Sequence, residues 1–409
     1  MKLKSVFSFI FILVCLIFFR VSAQQSIHKS TSNGLSLQIA EDLILLADSQ
    51  QRVRDYDSLR VGWDSQNFSF NGKTLKFKAE TYGEAPADGR SLYISMHGGG
   101  NAPPAVNDQQ WVNQVKLTSN DPAYYHIQEG VVIVPRAPVN DWNMWFQYEM
   151  DSLLSQAIRA ATLFAEVNPN KVYIMGYSAG GDGVYRLATR MAPYWAAASM
   201  SAGHPGEASP LNLRNIGFAL NMGGKDHPYD RNKHALTWKT KLDSLQKADP
   251  HGYYHQVNIF EDKGHWMEMK DAVSIPFMAT FRRNPYPAKV VWLQNSFHLH
   301  QNFYWLGISQ KDLSMPDIAD NPNKVIKVSY EGNHISIEEN YANELFIYLN
   351  DKMVNLDKKI TISYQGKKIF SGRVRRSAQV IQQTASDRRD GAYIFSAKIK
   401  VVNNAKVEL

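Results

Sequence analysis

The chain has 409 residues, of which 44% are hydrophobic and 20% are charged, and its formal net charge is +7 at pH 7. This composition is typical of a globular protein and excludes a chain that is disordered throughout. Lysine and arginine cluster only in short pairs such as Arg375-Arg376, so the sequence gives no reason to expect a nucleic-acid partner. The one cysteine, Cys15, lies in an N-terminal apolar run, and we expect neither a catalytic thiol nor a cysteine metal site in the remainder.

Residues 1–23 have the pattern of a Sec signal peptide. Two lysines precede an apolar run over residues 6–19, and the small residues Ser22 and Ala23 follow it. The run is shorter than the roughly 20 residues that cross a bilayer. We therefore expect cleavage before Gln24, a secreted or periplasmic protein, and no integral membrane segment in the mature chain.

Residues 24–72 are predicted to form a polar and helical N-terminal segment, with apolar residues at helical spacing over 35–46. From residue 73 to residue 285 short apolar strands alternate with helical patterns. The predicted strands cover 74–81, 91–96, 130–134, 171–175, 217–221 and 255–260, and the predicted helices cover 108–117, 149–166, 181–191, 232–245 and 267–281. This alternation predicts an α/β catalytic domain with a doubly wound, mostly parallel sheet.

The pattern changes after the Pro-Tyr-Pro sequence that ends at Pro287. Only β-type runs follow, at 302–308, 325–329, 345–349, 360–363 and 392–401, with turn residues between them. These runs predict a C-terminal all-β, sandwich-like domain over residues 286–409. A polysaccharide contact, if the protein makes one, is expected on this domain.

The segment Gly176-Tyr177-Ser178-Ala179-Gly180 has the Gly-x-Ser-x-Gly spacing of a nucleophile elbow. It follows an apolar strand pattern and precedes a helical one, as an elbow requires. Small residues two positions before and after the serine let the backbone turn tightly around it. Ser178 is therefore predicted to be a nucleophile.

A serine hydroxyl needs a histidine to take its proton, and that histidine needs a carboxylate to orient it. In elbow-containing chains the acid follows the serine, and the histidine follows the acid. Asp226 comes directly after the predicted strand at 217–221, and His265 follows the one at 255–260. Asp230 is the nearest rival acid, and His204 is the main rival histidine, although it precedes the acid.

Two backbone N–H groups are expected to stabilise the oxyanion. One belongs to Ala179, the residue after the nucleophile. The sequence His97-Gly98-Gly99-Gly100 follows a strand and predicts the second donor at Gly98 or Gly99. His97 itself is expected to brace this loop.

Four tryptophans are candidates for substrate binding by stacking on a sugar or an aromatic acyl group: Trp111, Trp142, Trp145 and Trp266. Packing in the core is the alternative for each of them. The mechanism needs no cofactor and no metal, and no group of histidines and aspartates has metal-ligand spacing in the sequence.

The segments 97–100 and 176–180, together with Asp226 and Gly264-His265, resemble the α/β-hydrolase superfamily. The resemblance covers about residues 73–283. Within the superfamily the chain is similar to secreted esterases grouped with polyhydroxybutyrate depolymerases and feruloyl and acetylxylan esterases, although it lacks the cysteines that often staple secreted depolymerases. The resemblance implies a serine hydrolase that cleaves carbohydrate-linked or other small carboxylic esters through an acyl-enzyme. A small serine peptidase of prolyl-oligopeptidase type and a binding protein with a vestigial hydrolase domain remain as alternatives.

Overall fold

The computed structural model describes residues 34–294, 298–313 and 324–409. The predicted signal peptide and Cys15 lie outside the described residues. Within the described ranges, no helix combines the length and the apolar character needed to cross a membrane.

The N-terminal segment forms one long helix, α1 (Leu37–Asp64), which begins at Ser36, whose hydroxyl accepts a hydrogen bond from the Ile39 N–H. The sequence predicted only its first part, because the apolar spacing ends near residue 46. The second part is charged on its surface and carries ion pairs one turn apart, such as Arg60 with Asp64. The helix therefore continues through a charged stretch that has no apolar spacing to predict it.

The central sheet has eight strands in the order β1-β2-β4-β3-β5-β6-β7-β8. The strands β3 to β8 run parallel to one another. The strands β1 and β2 are antiparallel to their neighbours. Their bounds are Asn67–Phe70, Lys73–Tyr82, Arg90–Met96, Gly130–Arg136, Val167–Tyr177, Ala197–Ser201, Gly217–Gly223 and His255–Phe260, for β1 to β8. The predicted mostly parallel sheet is confirmed. The sequence did not predict β1 or β6, and β6 is rich in alanine rather than in β-branched residues.

Helices pack on both faces of this sheet, as the alternation predicted. They are α2 (Pro104–Leu117), α3 (Glu149–Phe164), α4 (Ala179–Arg190), α5 (Arg231–Ala248) and α6 (Ser274–Ala279). On β5, Val172 and Ile174 share a core with α3, α4 and α5, whereas Tyr173 and Met175 share the opposite core with α2 and α6. The helix predicted over 267–281 corresponds to α6, which is much shorter than predicted and is preceded by a 3-10 turn.

The C-terminal part contains two five-stranded sheets, ordered β10-β11-β14-β17-β18 and β16-β15-β13-β12-β9. The strands β9 to β18 cover Lys289–Leu293, Asn302–Phe303, Leu306–Ile308, Val325–Glu331, His334–Glu339, Glu344–Leu349, Ile360–Tyr364, Lys367–Gly372, Ala397–Val402 and Lys406–Glu408. Trp292 of one sheet stacks on Phe303 of the other, with ring centroids 5.6 Å apart. The apolar faces of both sheets belong to one core, which is the predicted sandwich-like arrangement.

In the described residues of the C-terminal part, two α-helices interrupt the β pattern, α7 (Gln310–Leu313) and α8 (Ala378–Arg388). The sequence analysis predicted neither. Ile381 and Ala385 of α8 pack against Ala40 and Ala47 of α1. The helix α8 therefore joins the N-terminal segment to the C-terminal sheets.

Candidate active site

Ser178 lies between β5 and α4 with φ 57° and ψ −120°, a backbone conformation that non-glycine residues rarely adopt. A Cβ atom on Gly176 would lie 2.4 Å from the Gly180 carbonyl oxygen, and one on Gly180 would lie 2.2 Å from the Met96 carbonyl oxygen. Both positions therefore require glycine. The Ser178 N–H donates to the Ser201 carbonyl at 2.9 Å and anchors the turn to β6.

The three predicted catalytic side chains form a continuous hydrogen-bonded chain. His265 Nε2 lies 2.9 Å from Ser178 Oγ, and His265 Nδ1 lies 2.7 Å from Asp226 Oδ2. A carboxylate only accepts hydrogen bonds, so Nδ1 carries the proton and Nε2 is free to accept the serine proton. The Asp226 side chain is fully buried, whereas that of His265 is 42% exposed. The arrangement can transfer a proton from a solvent-accessible hydroxyl.

The loop after β7 holds Asp226 in place. Its N–H donates to the Gly223 carbonyl at 3.0 Å, and its own carbonyl accepts from Asn232 at 3.1 Å. The second carboxylate oxygen, Oδ1, faces the Arg231 guanidinium at 3.9 Å. Asp226 is thus held by the backbone of its own loop and faces a cation on the side away from His265.

The rival residues lie elsewhere. The Asp230 side chain is 61% exposed and pairs with Lys233 at 2.8 Å. The His204 ring packs edge-on against His234, with centroids 4.5 Å apart, and its Nδ1 accepts from the Gly206 N–H. Neither residue contacts Ser178, so the structure brings together Asp226 and His265 and not their rivals.

Tyr177 is a site residue that the sequence analysis missed. Its hydroxyl donates to the His265 carbonyl at 2.6 Å and accepts from the Met267 N–H at 2.9 Å. Burial and the nearby Asp271 carboxyl raise the pKa of Tyr177, so its proton remains on the hydroxyl. Tyr177 fixes the backbone of the histidine loop to the elbow. It occupies a variable position of the motif, so the motif gave no signal for it.

His97 is fully buried and braces the glycine loop from within. Its Nε2 accepts from the Ala137 N–H at 3.1 Å, so Nδ1 carries the proton and donates to the Gly98 carbonyl at 2.6 Å. The Trp145 indole donates to the His97 carbonyl at 2.9 Å. Burial lowers the pKa of His97 to about 4, which keeps the ring neutral.

The glycine loop lies directly against the nucleophile, and a Cβ atom on Gly98 would be 3.2 Å from the Cβ of Ser178. The Gly100 N–H is engaged by the Asn107 side chain at 2.8 Å. Three nearby backbone N–H groups have no hydrogen-bond partner in the described part of the chain: those of Gly98, Gly99 and Ala179. The sequence analysis named Ala179 as one oxyanion donor and Gly98 or Gly99 as the other, and all three N–H groups are free to serve.

A cavity of about 510 Å³ opens in front of Ser178. It is lined by Gly98, Gly99, Gln110, Asn113, Gln114, Lys116, Leu117, Tyr124, Tyr177, Ser178, His265 and Trp266. Of the four candidate tryptophans only Trp266 lines it, and this residue is 47% exposed. Trp266 is thus the one tryptophan in a position to stack on a substrate there.

The other three tryptophans require a correction. Trp145 is fully buried and holds His97, so its indole has no access to a substrate. Trp111 donates to the Val134 carbonyl at 2.9 Å and packs in the core on the α2 side of the sheet. Trp142 is exposed but packs edge-on against Phe146, away from the cavity lining. Trp111 and Trp145 therefore pack in the protein, whereas Trp142 is exposed but does not line this cavity.

The strand order and the elbow define an α/β-hydrolase fold. Solved structures of esterases match this half of the chain at low identity. A thermostable esterase is 15% identical with a TM-score of 0.42, and the match covers 53% of this chain and 62% of that one, which is less than two thirds of the esterase. A ferulic acid esterase is 15% identical over 50% of this chain and 98% of its own, with a TM-score of 0.33. An acetyl xylan esterase from Paenibacillus sp. R4 is 12% identical over 52% and 81%, with a TM-score of 0.32.

No protein-family model matches the chain, and no curated protein sequence is significantly similar to it.

Proposed function

We propose that this protein is a serine hydrolase that cleaves carboxylic esters through an acyl-enzyme. The observation that carries the proposal is the chain of hydrogen bonds of 2.9 Å and 2.7 Å from Ser178 through His265 to Asp226. Such a chain, with the serine on a strained turn beside free N–H donors, supplies the nucleophile, base, orienting acid and oxyanion site of acyl transfer.

In the proposed reaction, Ser178 Oγ attacks the ester carbonyl carbon while His265 Nε2 takes its proton. The Ala179 N–H and those of Gly98 and Gly99 stabilise the negative oxygen of the tetrahedral intermediate. His265 then protonates the leaving alcohol, and the acyl group remains on Ser178. Water attacks this acyl-enzyme with His265 again as base, which releases the acid and restores the serine. Asp226 stays ionised throughout and stabilises the imidazolium.

We infer that the substrates are carbohydrate-linked or other small acyl esters. The cavity of about 510 Å³ is in the size range of small-molecule sites. Its lining places the amides of Gln110 and Asn113 near the aromatic rings of Tyr124 and Trp266. Amides pair with hydroxyl groups and aromatic rings pack on sugar or acyl surfaces, so both halves of such an ester find a matching surface. The predicted export of the protein agrees with an extracellular substrate.

Steady-state kinetics of the mature protein test the proposal, with p-nitrophenyl acetate, p-nitrophenyl butyrate and methyl ferulate as substrates. We expect Ser178→Ala to lower kcat by about 10⁴- to 10⁶-fold, as triad serines do elsewhere. The matched control is Ser58→Ala, on the exposed surface of α1, which should retain full activity. Ester turnover that survives in Ser178→Ala would refute the proposal. Turnover of a prolyl p-nitroanilide without any ester turnover would indicate a peptidase.

A further inference from the structure

A second cluster of histidine and carboxylate side chains lies at the far end of α4 from Ser178. It consists of Asp151 on α3 and of His298 and His300, which come between β9 and β10. We call these three residues the Asp151 cluster. It joins the α/β half of the chain to the connection between the two C-terminal sheets, since β9 and β10 belong to different sheets.

Each side chain of the Asp151 cluster places one potential ligand atom close to those of the other two. His300 Nε2 lies 3.0 Å from Asp151 Oδ2, and His298 Nε2 lies 3.4 Å from the same oxygen. One ligand atom from each side chain lies within 4.8 Å of the other two. Ligand bonds of about 2.0 to 2.1 Å in a tetrahedral zinc site put neighbouring ligand atoms about 3.3 Å apart. The two distances to Asp151 therefore match edges of such a site, and the distance between the two imidazole ligand atoms is at most 4.8 Å.

Two of these ligand atoms are buried without a hydrogen-bond partner among the described residues. Asp151 Oδ2 and His300 Nε2 are both buried, and neither makes a hydrogen bond of acceptable geometry within the described ranges. The other carboxylate oxygen, Oδ1, accepts from Arg190 Nε at 2.9 Å. Leaving buried polar atoms without partners is costly, and most native proteins avoid it. A shared ligand would satisfy all three side chains at once.

The cluster also borders open space. It lines a cavity of about 680 Å³ together with polar side chains such as Ser152, Ser155 and Gln156. A tetrahedral ion held by three protein ligands needs a fourth ligand, and this cavity has room for a water molecule or an anion. Two imidazoles with one carboxylate favour zinc over calcium or magnesium, which prefer oxygen ligands.

We propose that Asp151, His298 and His300 bind one Zn²⁺ ion, with a fourth position open to the cavity. The site is separate from the hydrolytic one, because the 12 residues of α4 are about 18 Å long. Its ligands come from α3 and from the segment before β10, so the metal clamps the two halves of the chain together. The sequence gave no spacing signal for the site, because His298 lies 147 positions after Asp151.

Zinc titration of the full-length mature protein, stripped of metal with a chelator, tests the proposal. Calorimetry gives the stoichiometry and the dissociation constant, and elemental analysis after dialysis gives the retained metal. The test variant is His298→Ala/His300→Ala. The matched control is His126→Ala/His251→Ala, which removes two exposed imidazoles away from the cluster.

We expect one zinc ion per chain in the wild type and in the control, and a thermal midpoint that zinc raises in both. In the test variant the dissociation constant should rise by more than about 100-fold, since even outer partners of metal ligands cost 10- to 100-fold. Equal zinc affinity in the test variant, or no binding by the wild type at submillimolar zinc, would overturn the proposal and leave a buried His–Asp ion pair.

Cobalt substitution in the wild type keeps the test decisive if the double variant does not fold. The intense visible absorption of four-coordinate Co²⁺ supports the site, and the weak spectrum of the hydrated ion overturns it. Ester hydrolysis should persist after chelation at moderate temperature, because Ser178 does not touch the metal. Failure of the zinc site and failure of the hydrolase proposal are thus separate results.

Discussion

The two ends of α4 bring the same residue types together in different surroundings. At the N-terminal end, the pair of His265 and Asp226 faces the hydroxyl of Ser178, and the histidine side chain is 42% exposed at the rim of a cleft. At the C-terminal end, Asp151 faces two histidines whose side chains are only 21% and 24% exposed, and Arg190 holds its other oxygen.

The difference shows that the third partner decides what a histidine and a carboxylate do. A hydroxyl opposite the free imidazole nitrogen makes the pair a proton acceptor. A second imidazole opposite the carboxylate makes the group a set of metal ligands. Substitutions at the first end should therefore act mainly on the rate of hydrolysis, and substitutions at the second end mainly on the free energy of unfolding.

After Ser178→Ala, the largest expected effect is at the N-terminal end, with Asp226→Asn. The amide cannot hold His265 in the tautomer that accepts the serine proton, so kcat should fall by about 10³- to 10⁴-fold. Asp230→Asn is the matched control, because this exposed neighbour pairs only with Lys233, and it should leave kcat unchanged. Kinetics with p-nitrophenyl butyrate measure both variants. A similar fall in kcat in both variants would contradict the assignment of Asp226, rather than Asp230, as the acid that orients His265.

Arg190→Met probes the C-terminal end. Arg190 is buried, and its guanidinium also donates to the Phe146 and Gln147 carbonyls, so its removal takes the guanidinium away from Oδ1 of the Asp151 carboxylate. Breaking such a buried pair costs about 3 to 5 kcal/mol. We expect a loss of this size in urea denaturation and an unchanged kcat per folded molecule. A large fall in kcat at constant stability would contradict the separation of the two ends.

The glycine loop should make stability depend on pH through His97. Burial lowers its pKa from the usual 6.5 to about 4, so between these values the unfolded chain binds a proton that the folded chain does not. The contribution of neutral, buried His97 to the free energy of unfolding is therefore fully present above pH 6.5. It declines by about 3 kcal/mol in all as the pH falls to 4. Urea denaturation of wild type and His97→Asn at pH 7.5 and pH 4.5 should show the difference between them shrinking in acid. A difference that stays constant would mean that His97 is protonated at both pH values or at neither.

Tyr177→Phe should have the smallest effect, and it acts by positioning. Loss of the hydroxyl frees the His265 loop and leaves the Met267 N–H without its partner, at a cost of about 1 to 3 kcal/mol. We expect kcat to fall by about tenfold with little change in KM. Tyr173→Phe removes a comparable hydroxyl, which donates to the Phe281 carbonyl, and should lose stability without losing rate. Equal kcat in both variants would assign Tyr177 a purely structural role.

The arrangement of Ser178, His265 and Asp226 could be anticipated from the sequence because its signals are local. The elbow around Ser178 is a contiguous motif, and Asp226 and His265 each follow a strand whose apolar pattern is visible in the sequence. The tryptophans were not predictable, because exposure decides between stacking and packing, and exposure depends on the finished core. Trp142 and Trp145 are three residues apart, yet one is 59% exposed and the other fully buried.

The same distinction applies to the fold. The parallel sheet follows from alternating patterns, whereas β6 and α8 depend on distant partners. The helix α8 has a polar sequence whose few apolar residues find α1, more than three hundred residues earlier in the chain. The Asp151 cluster depends on distant partners to the greatest degree. Its ligands come together only when α3 packs against the residues just before β10.

The most direct test of the central claim is labelling of the mature protein with a fluorophosphonate probe, followed by mass spectrometry of the peptides. Such probes react with a serine only where a base activates it and N–H donors receive the oxyanion. We predict a single adduct on Ser178, absent from Ser178→Ala and strongly reduced in Asp226→Asn. A folded protein that forms no adduct at Ser178, while it still hydrolyses esters, would contradict the account.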